Sequence, residues 1–250
     1  MFILLLVLLC VPVGYGFVSI DKPSALKYVW LFAAILLLIA AFGLITRLYR
    51  PHIASDIATT TYQGRPATEI RYSMVTFAIL IALVGCASAM AVLATLDYAS
   101  ADGVGGKPVV VVLCGLASLF MLSFFWLMAV GQLRRGRVVL TQQGIYQRGF
   151  TFTSFLPWES FVTVGAAYNG RPEVLAVAYR NAPWEKRQFG RPWRIDRLPP
   201  VPMIEIDLIF FALDASLVYH LVRFYVENPV ARAELGTEAS LERARVGAFS

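Results

Sequence analysis

Between Val109 and Gly131 the chain carries no charged residue, and the next six positions bring Arg134, Arg135 and Arg137. A run of that length, coiled as a helix, is long enough to cross a hydrocarbon layer about 30 Å thick. Three further runs share its character: Phe2 to Val18, Tyr28 to Thr46 and Ser73 to Leu96. None of the four holds an Asp, Glu, Lys, Arg or His. Such runs constrain the fold strongly, because a backbone in lipid must satisfy its own hydrogen bonds and helices do so within one segment. The sequence therefore predicts an α-helical membrane region over 1–132, of about four spans (2–18, 28–46, 73–96 and 109–131), and a domain of different composition after it.

The first run is at the short limit for a span. Gly14 and Gly16 also supply the small residues of a signal-peptide cleavage site, while no basic residue precedes the apolar core. A retained span and a cleaved signal both stay open, and both put residue 19 on the outer side. Orientation follows from the loops. Arg47, Arg50, Arg65 and Arg71 join Arg134, Arg135 and Arg137 on one side, against Lys22, Lys27 and Lys107 on the other. Basic residues mark the cytoplasmic side, so a multi-pass plasma-membrane protein with both termini cytoplasmic is expected. Spans free of ionisable residues argue against a proton-coupled transporter or an ion channel built from this chain alone. Small residues at helical spacing (Ala82, Gly85 and Ala89; Cys114, Gly115 and Ser118) let helices approach closely, either within the chain or against another subunit.

Hydrophobic residues make up 58% of the chain and charged residues 15%, and most of the charge lies after residue 132. In that half, Arg137–Thr141 and Ile145–Phe150 read as strands about a turn at Gln142-Gln143-Gly144. Phe155-Leu156-Pro157-Trp158 interrupts the pattern. Phe161–Tyr168 and Glu173–Arg180 flank Asn169-Gly170, a strong hairpin signal. Residues 181–202 read as a long proline-rich loop, and Met203–Phe211 as the last strand. Asp214 then suits an N-cap, and Leu217, Val218, Leu221, Val222, Phe224 and Tyr225 form one helical face. Asn228-Pro229 ends that helix, and 236–250 is expected to be a flexible tail, a marginal helix with a disordered end. The loop 47–72 is polar, with a β-branched stretch at Thr59-Thr60-Thr61, and is long enough to pack on the domain. The expected fold is α+β.

The order of these elements, with Arg137 to Tyr146 followed by Leu156-Pro157-Trp158-Glu159-Ser160-Phe161, resembles the start of the bacterial pleckstrin-homology-like domain found after membrane-spanning segments. In that family a first hairpin ends at a turn glycine, a Pro-Trp motif leads into the third strand, and a C-terminal helix plugs a small barrel or sandwich. The resemblance implies such a domain over 133–235. It implies no catalytic residues, since the fold is a scaffold.

No sequence motif of hydrolases, zinc proteases or dinucleotide-binding enzymes is present. Asp102–Pro108 is glycine-rich but lacks the spacing of a phosphate loop. Cys10, Cys86 and Cys114 lie inside apolar runs, and two histidines, His52 and His220, cannot make a three-ligand metal site. Glu205 and Asp207 share a strand face and read as solvated. No catalytic, cofactor-binding or metal site is therefore expected, and no enzyme. The net charge of +6 is explained by membrane-flanking segments and one loop, so nucleic acid is not expected. That loop interleaves Arg180, Lys186, Arg187, Arg191 and Arg194 with Trp184, Phe189 and Trp193. Cations favour an anionic leaflet and aromatics the headgroup level, so Arg180, Trp184, Lys186, Arg187, Arg191, Trp193 and Arg194 are candidates for binding lipid or a partner. The expected function is a non-catalytic integral membrane protein presenting its domain at the cytoplasmic face for protein or anionic-lipid interaction. The expected partners are anionic membrane lipids, another membrane protein or a second copy of the chain. The alternative is an accessory subunit of a membrane transport or envelope-assembly complex.

Overall fold

The structure is a computed structural model that describes residues 10, 12, 25–48, 57–100, 108–190, 192–196 and 198–249. It divides into two compact units, Met1–Leu48 with Val75–Val130, and Tyr49–Met74 with Gly131–Ser250.

The first unit is helical. Helices α1 (Leu26–Leu48), α2 (Met74–Ser100) and α3 (Pro108–Ala129) are each long and apolar enough to cross a membrane. Three of the four expected spans are thus present. The first expected run, 2–18, lies outside the described residues except for Cys10 and Pro12. Cys10 is buried with Ala33 and Leu36 of α1, as a small apolar residue would be. Parts of the small-residue faces of α2 and α3 meet within the chain. A side chain at Gly85 would come within 3.9 Å of Phe125, and one at Gly115 within 3.9 Å of Thr95. The Thr95 and Ser118 hydroxyls are 3.0 Å apart, joining α2 to α3. At the other contact, Lys27 Nζ lies 2.6 Å from Asp97 Oδ1 and the Tyr28 hydroxyl donates to Asp97 Oδ2 at 2.7 Å. Val112, Leu116, Leu119 and Trp126 form an exposed stripe along α3, which lipid can cover.

The second unit is a mixed α/β domain with two antiparallel sheets. Strands β1 (Ile57–Tyr62), β2 (Arg65–Arg71), β3 (Arg137–Thr141), β4 (Gly144–Arg148), β5 (Phe152–Pro157) and β8 (Glu185–Gln188) form a six-stranded sheet in the order β1-β2-β3-β4-β5-β8. Strands β6 (Phe161–Tyr168), β7 (Pro172–Ala178) and β9 (Met203–Asp207) form the other. Helix α4 (Ala215–Glu227) packs on β6 and β7, and α5 (Glu238–Val246) packs on β1. The core lies between the sheets and α4, where Ile70, Val138, Leu140, Ile145, Leu156, Ile204, Ile206, Leu221 and Tyr225 are fully buried. Asp214 caps α4 by accepting from Ser216 N at 2.8 Å. Asn228 ends it before Pro229, whose ring cannot continue the ladder.

Four sequence expectations change. The segment between α1 and α2 is not a loop packed on the domain but part of its large sheet. β1 and β2 form a hairpin about Gln63 and Gly64, both at positive φ, as a two-residue primed turn requires. β2 then pairs with β3 along the whole length of β3, from Ala67↔Thr141 to Arg71↔Arg137. Phe152–Pro157 is a strand with alternating burial, since Pro157 stands at its end and needs no ladder hydrogen bond. Residues 181–202 are not all loop, because β8 covers the free edge of β5. The tail is ordered into α5. Ser240 and Thr68 hydroxyls lie 2.8 Å apart, Gly236 N donates to Thr68 Oγ1 at 2.9 Å, and Leu241 and Ala244 are buried.

Gly136, just before β3, has no room for a side chain. A Cβ there would lie 2.3 Å from the ring of Tyr72, whose own amide donates to Gly136 O at 3.0 Å. Tyr72 is buried against Phe150, Phe210 and Phe211 and cannot step aside. Gly136→Ala is expected to cost about 1–3 kcal/mol through overpacking, seen as a lowered midpoint in thermal unfolding of the purified protein.

Candidate anion-binding face

Residues paired across neighbouring strands project from the same side of a sheet. In the large sheet the register aligns Arg71↔Arg137, Arg137↔Arg148, Arg148↔Thr153 and Thr153↔Arg187. Four arginines thus stand in one row across five strands, on the face opposite Ile70, Val138, Leu140, Ile145 and Leu156. One face of the sheet builds the core and the other carries a stripe of permanent positive charge.

Like charges directly opposite one another destabilise a sheet. Glu69 offsets part of this. It precedes Arg71 by two residues on β2 and so shares its face. Its carboxylate, only 2% exposed, accepts from Arg71 Nε at 2.9 Å and Arg137 Nη1 at 3.0 Å. Burial pushes this carboxyl's pKa up, but the hydrogen bonds from Arg71 and Arg137 outweigh burial and hold it below the usual glutamate value. Among the described residues that line the site, Glu69 is the carboxylate beside five arginines. A cavity of about 370 Å³ opens beside it, lined by Glu69, Arg71, Arg134, Arg135, Arg137 and Arg148. Arg135 Nε donates to Tyr72 O, and Arg148 Nη2 to Gly131 O at 3.0 Å. Arg148 Nε is buried without a hydrogen-bond partner. Neither Arg134 nor Arg148 is in an ion pair among the described residues.

The basic loop is held beside this cluster. Lys186 Nζ lies 4.1 Å over the ring of Trp184, whose indole N–H donates to Ser154 Oγ at 2.7 Å. The Phe189 ring sits between Arg187 and Arg148, 5.0 and 5.6 Å from its centroid. Phe189 N donates to Thr151 O at 2.7 Å. Asp196 closes the loop by accepting from the Phe150 and Thr151 amides and the Thr151 hydroxyl. Burial raises the Asp196 carboxyl above the ordinary range, with the bonds from Thr151 and Phe150 opposing without overcoming it.

Of the residues singled out from sequence, Trp184, Lys186 and Arg187 are therefore at or beside the β8 edge. Arg180 and Arg194 are exposed, Trp193 is half-buried with its amide on Gly190 O, and Arg191 lies outside the described residues. Sequence reasoning missed Arg71, Arg148 and Glu69 as a cluster. The β3–β4 hairpin register, which pairs Arg137 with Arg148, was the available signal. Glu205 and Asp207 are less solvated than expected. Asp207 is bound by Arg171 at 2.8 Å beside the buried Glu173, and burial raises both Glu205 and Asp207. His220 is exposed on α4, and His52 lies outside the described residues. Among the described residues no group of three or more His, Cys, Asp or Glu is placed to hold a metal ion.

Because Glu69 has a depressed pKa in the folded state, its contribution is present above the ordinary glutamate value and is lost as pH falls through the lower folded value. The stability gap between wild type and Glu69→Gln is expected to close as the pH is taken from about 6 to below about 4, read from denaturation midpoints. No protein-family model, no curated protein and no solved structure matches the chain.

Proposed function

We propose that this is a non-catalytic membrane protein whose helices fix a pleckstrin-homology-like domain at the cytoplasmic face of the membrane, where the domain recognises an anionic component. The observation that carries the reading is the arginine row Arg71–Arg137–Arg148–Arg187 across the outer face of the large sheet. A row of opposed like charges is unfavourable for the fold by itself, and contact with an anionic surface turns it into a favourable feature. Lys186 and Arg187 over Trp184 and Phe189 extend the same basic–aromatic surface to the sheet edge.

The cytoplasmic assignment is supported by the excess of arginines in the two segments that build the domain. The pleckstrin-homology-like assignment is supported by element order: β3–β5 and then β6, β7 and β9 in two antiparallel sheets, followed by one amphipathic helix, α4. The reading as an accessory subunit drew on the small-residue helix faces, and Gly85, Gly115 and Ser118 meet α2–α3 partners within the chain.

Val230 is 91% exposed and stands outside the site. A Val230→Cys variant is expected to react with a membrane-impermeant maleimide in inverted vesicles and not in right-side-out vesicles; the reverse pattern would sink the cytoplasmic assignment. Purified from native membranes at about 0.1 M salt, the protein is expected to carry anionic lipid or an acidic partner that high salt releases. The Lys186→Ser/Arg187→Ser variant is expected to retain less of it.

A further inference from the structure

The Arg71 end of the arginine row has a more specific chemistry than the Arg187 end. Five arginines line the 370 Å³ cavity, with Glu69 among them. Glu69 directs its oxygens to Arg71 and Arg137. Arg134 and Arg148 have no carboxylate among the described residues, and Arg148 Nε is a buried donor with nothing to receive it. A buried unmet donor is costly, more so when charged. The Phe189 ring and the bond to Gly131 O hold Arg148 in place where it lines the cavity.

We propose that this cavity is a phosphate-binding site. Guanidinium forks bind phosphate through paired, charge-assisted hydrogen bonds. A tetrahedral phosphate presents acceptor oxygens to donors arriving from several directions, as they do here from β2, β4 and the segment before β3. A planar carboxylate presents two, and Glu69 already fills that role. The volume admits a phosphate group and several waters, at about 30 Å³ of liquid volume per water. Phosphate could reach the site as a phospholipid headgroup or as free inorganic phosphate. The chain favours the headgroup as source, because Arg71 precedes α2 by three residues and Arg134 follows α3 by five. The proposal deepens the reading above and rests on it only for the lipid source.

The test is thermal unfolding of the full-length protein in neutral detergent. One arm adds inorganic phosphate, one adds phosphatidic acid in mixed micelles, and phosphatidylcholine is the control. Stabilisation by phosphate alone, or by both additives, identifies a site open to the free ion; stabilisation by phosphatidic acid only identifies the headgroup. In either case Arg134→Gln is expected to weaken the apparent affinity about tenfold, and Arg134→Gln/Arg148→Gln to abolish the response. Arg134 is exposed and makes no side-chain hydrogen bond to the domain, so without ligand Arg134→Gln is expected to unfold at or above the wild-type midpoint. That variant keeps the test sound even where loss of Arg148 disturbs the fold. The proposal is overturned if neither additive stabilises the wild type, or if both variants respond as it does. A response lost in Lys186→Ser/Arg187→Ser but kept in Arg134→Gln would overturn the cavity and leave the proposed function standing. A domain found outside the cell by cysteine labelling would remove the cytoplasmic reading without touching the phosphate titration.

Discussion

The ladder between β2 and β3 is the constraint on which the rest depends. Its two strands come from parts of the chain separated by both α2 and α3, yet they pair over five consecutive residues. Backbone pairing over that length needs both segments on one side of the membrane, and two spans forming a hairpin deliver them there. The ladder thus links the number of crossings between residues 71 and 137 to the construction of the domain. The Thr95 and Ser118 hydroxyls, 3.0 Å apart, join α2 to α3 within that hairpin. A hairpin free to splay would pull at both strands.

The same ladder creates the electrostatic problem of the domain. Pairing β2 with β3 sets Arg71 beside Arg137, and the β3–β4 register adds Arg148. Membrane-flanking arginines are useful for orientation, but here the fold collects them from two flanks into one row. Glu69 relieves the sheet at one point, where its burial makes the ion pair stronger than a surface pair would be. Phe189 adds a cation–π contact to Arg148 and Arg187. Both devices hold the arginines in position more than they neutralise them. Such a fixed row would suit the proposed contact with an anion.

Much of this was legible in the sequence, and the exceptions have one cause. The apolar runs place α1, α2 and α3 to within a few residues, because lipid imposes length and composition together. The β3–β4 and β6–β7 hairpins and α4 were also visible through turn residues and periodicity. What was missed depends on non-local pairing. Ala58 to Tyr62 is a β-branched stretch that pairs with β2, and β2 is in turn held in the sheet by β3, far along the chain. Residues 238–246 lack a strong apolar face and read only as a marginal helix; its order comes from Thr68 and the β1–β2 hairpin on which it rests. β8 is four exposed residues that become a strand because β5 offers an edge. The candidate site divides the same way. The basic–aromatic loop stands out locally, whereas the cavity needs Arg71, Arg134 and Arg148 from three separate segments.

The choice of residue then says how such a site would behave. Guanidinium groups stay protonated throughout the physiological pH range, and Glu69, held below the usual glutamate range, stays ionised there as well. Neither titrates near neutrality, unlike a histidine-based site. Affinity at this face therefore follows salt and the supply of anion rather than pH. The covalent path adds to this. The strands that carry Arg71 and Arg137 enter the domain directly from α2 and α3, so the arginines are presented at a fixed short chain distance from two spans. Were the ligand a lipid headgroup, such tethering would raise its effective concentration, and a site of modest intrinsic affinity would suffice. A soluble domain with the same cavity would need a tighter one.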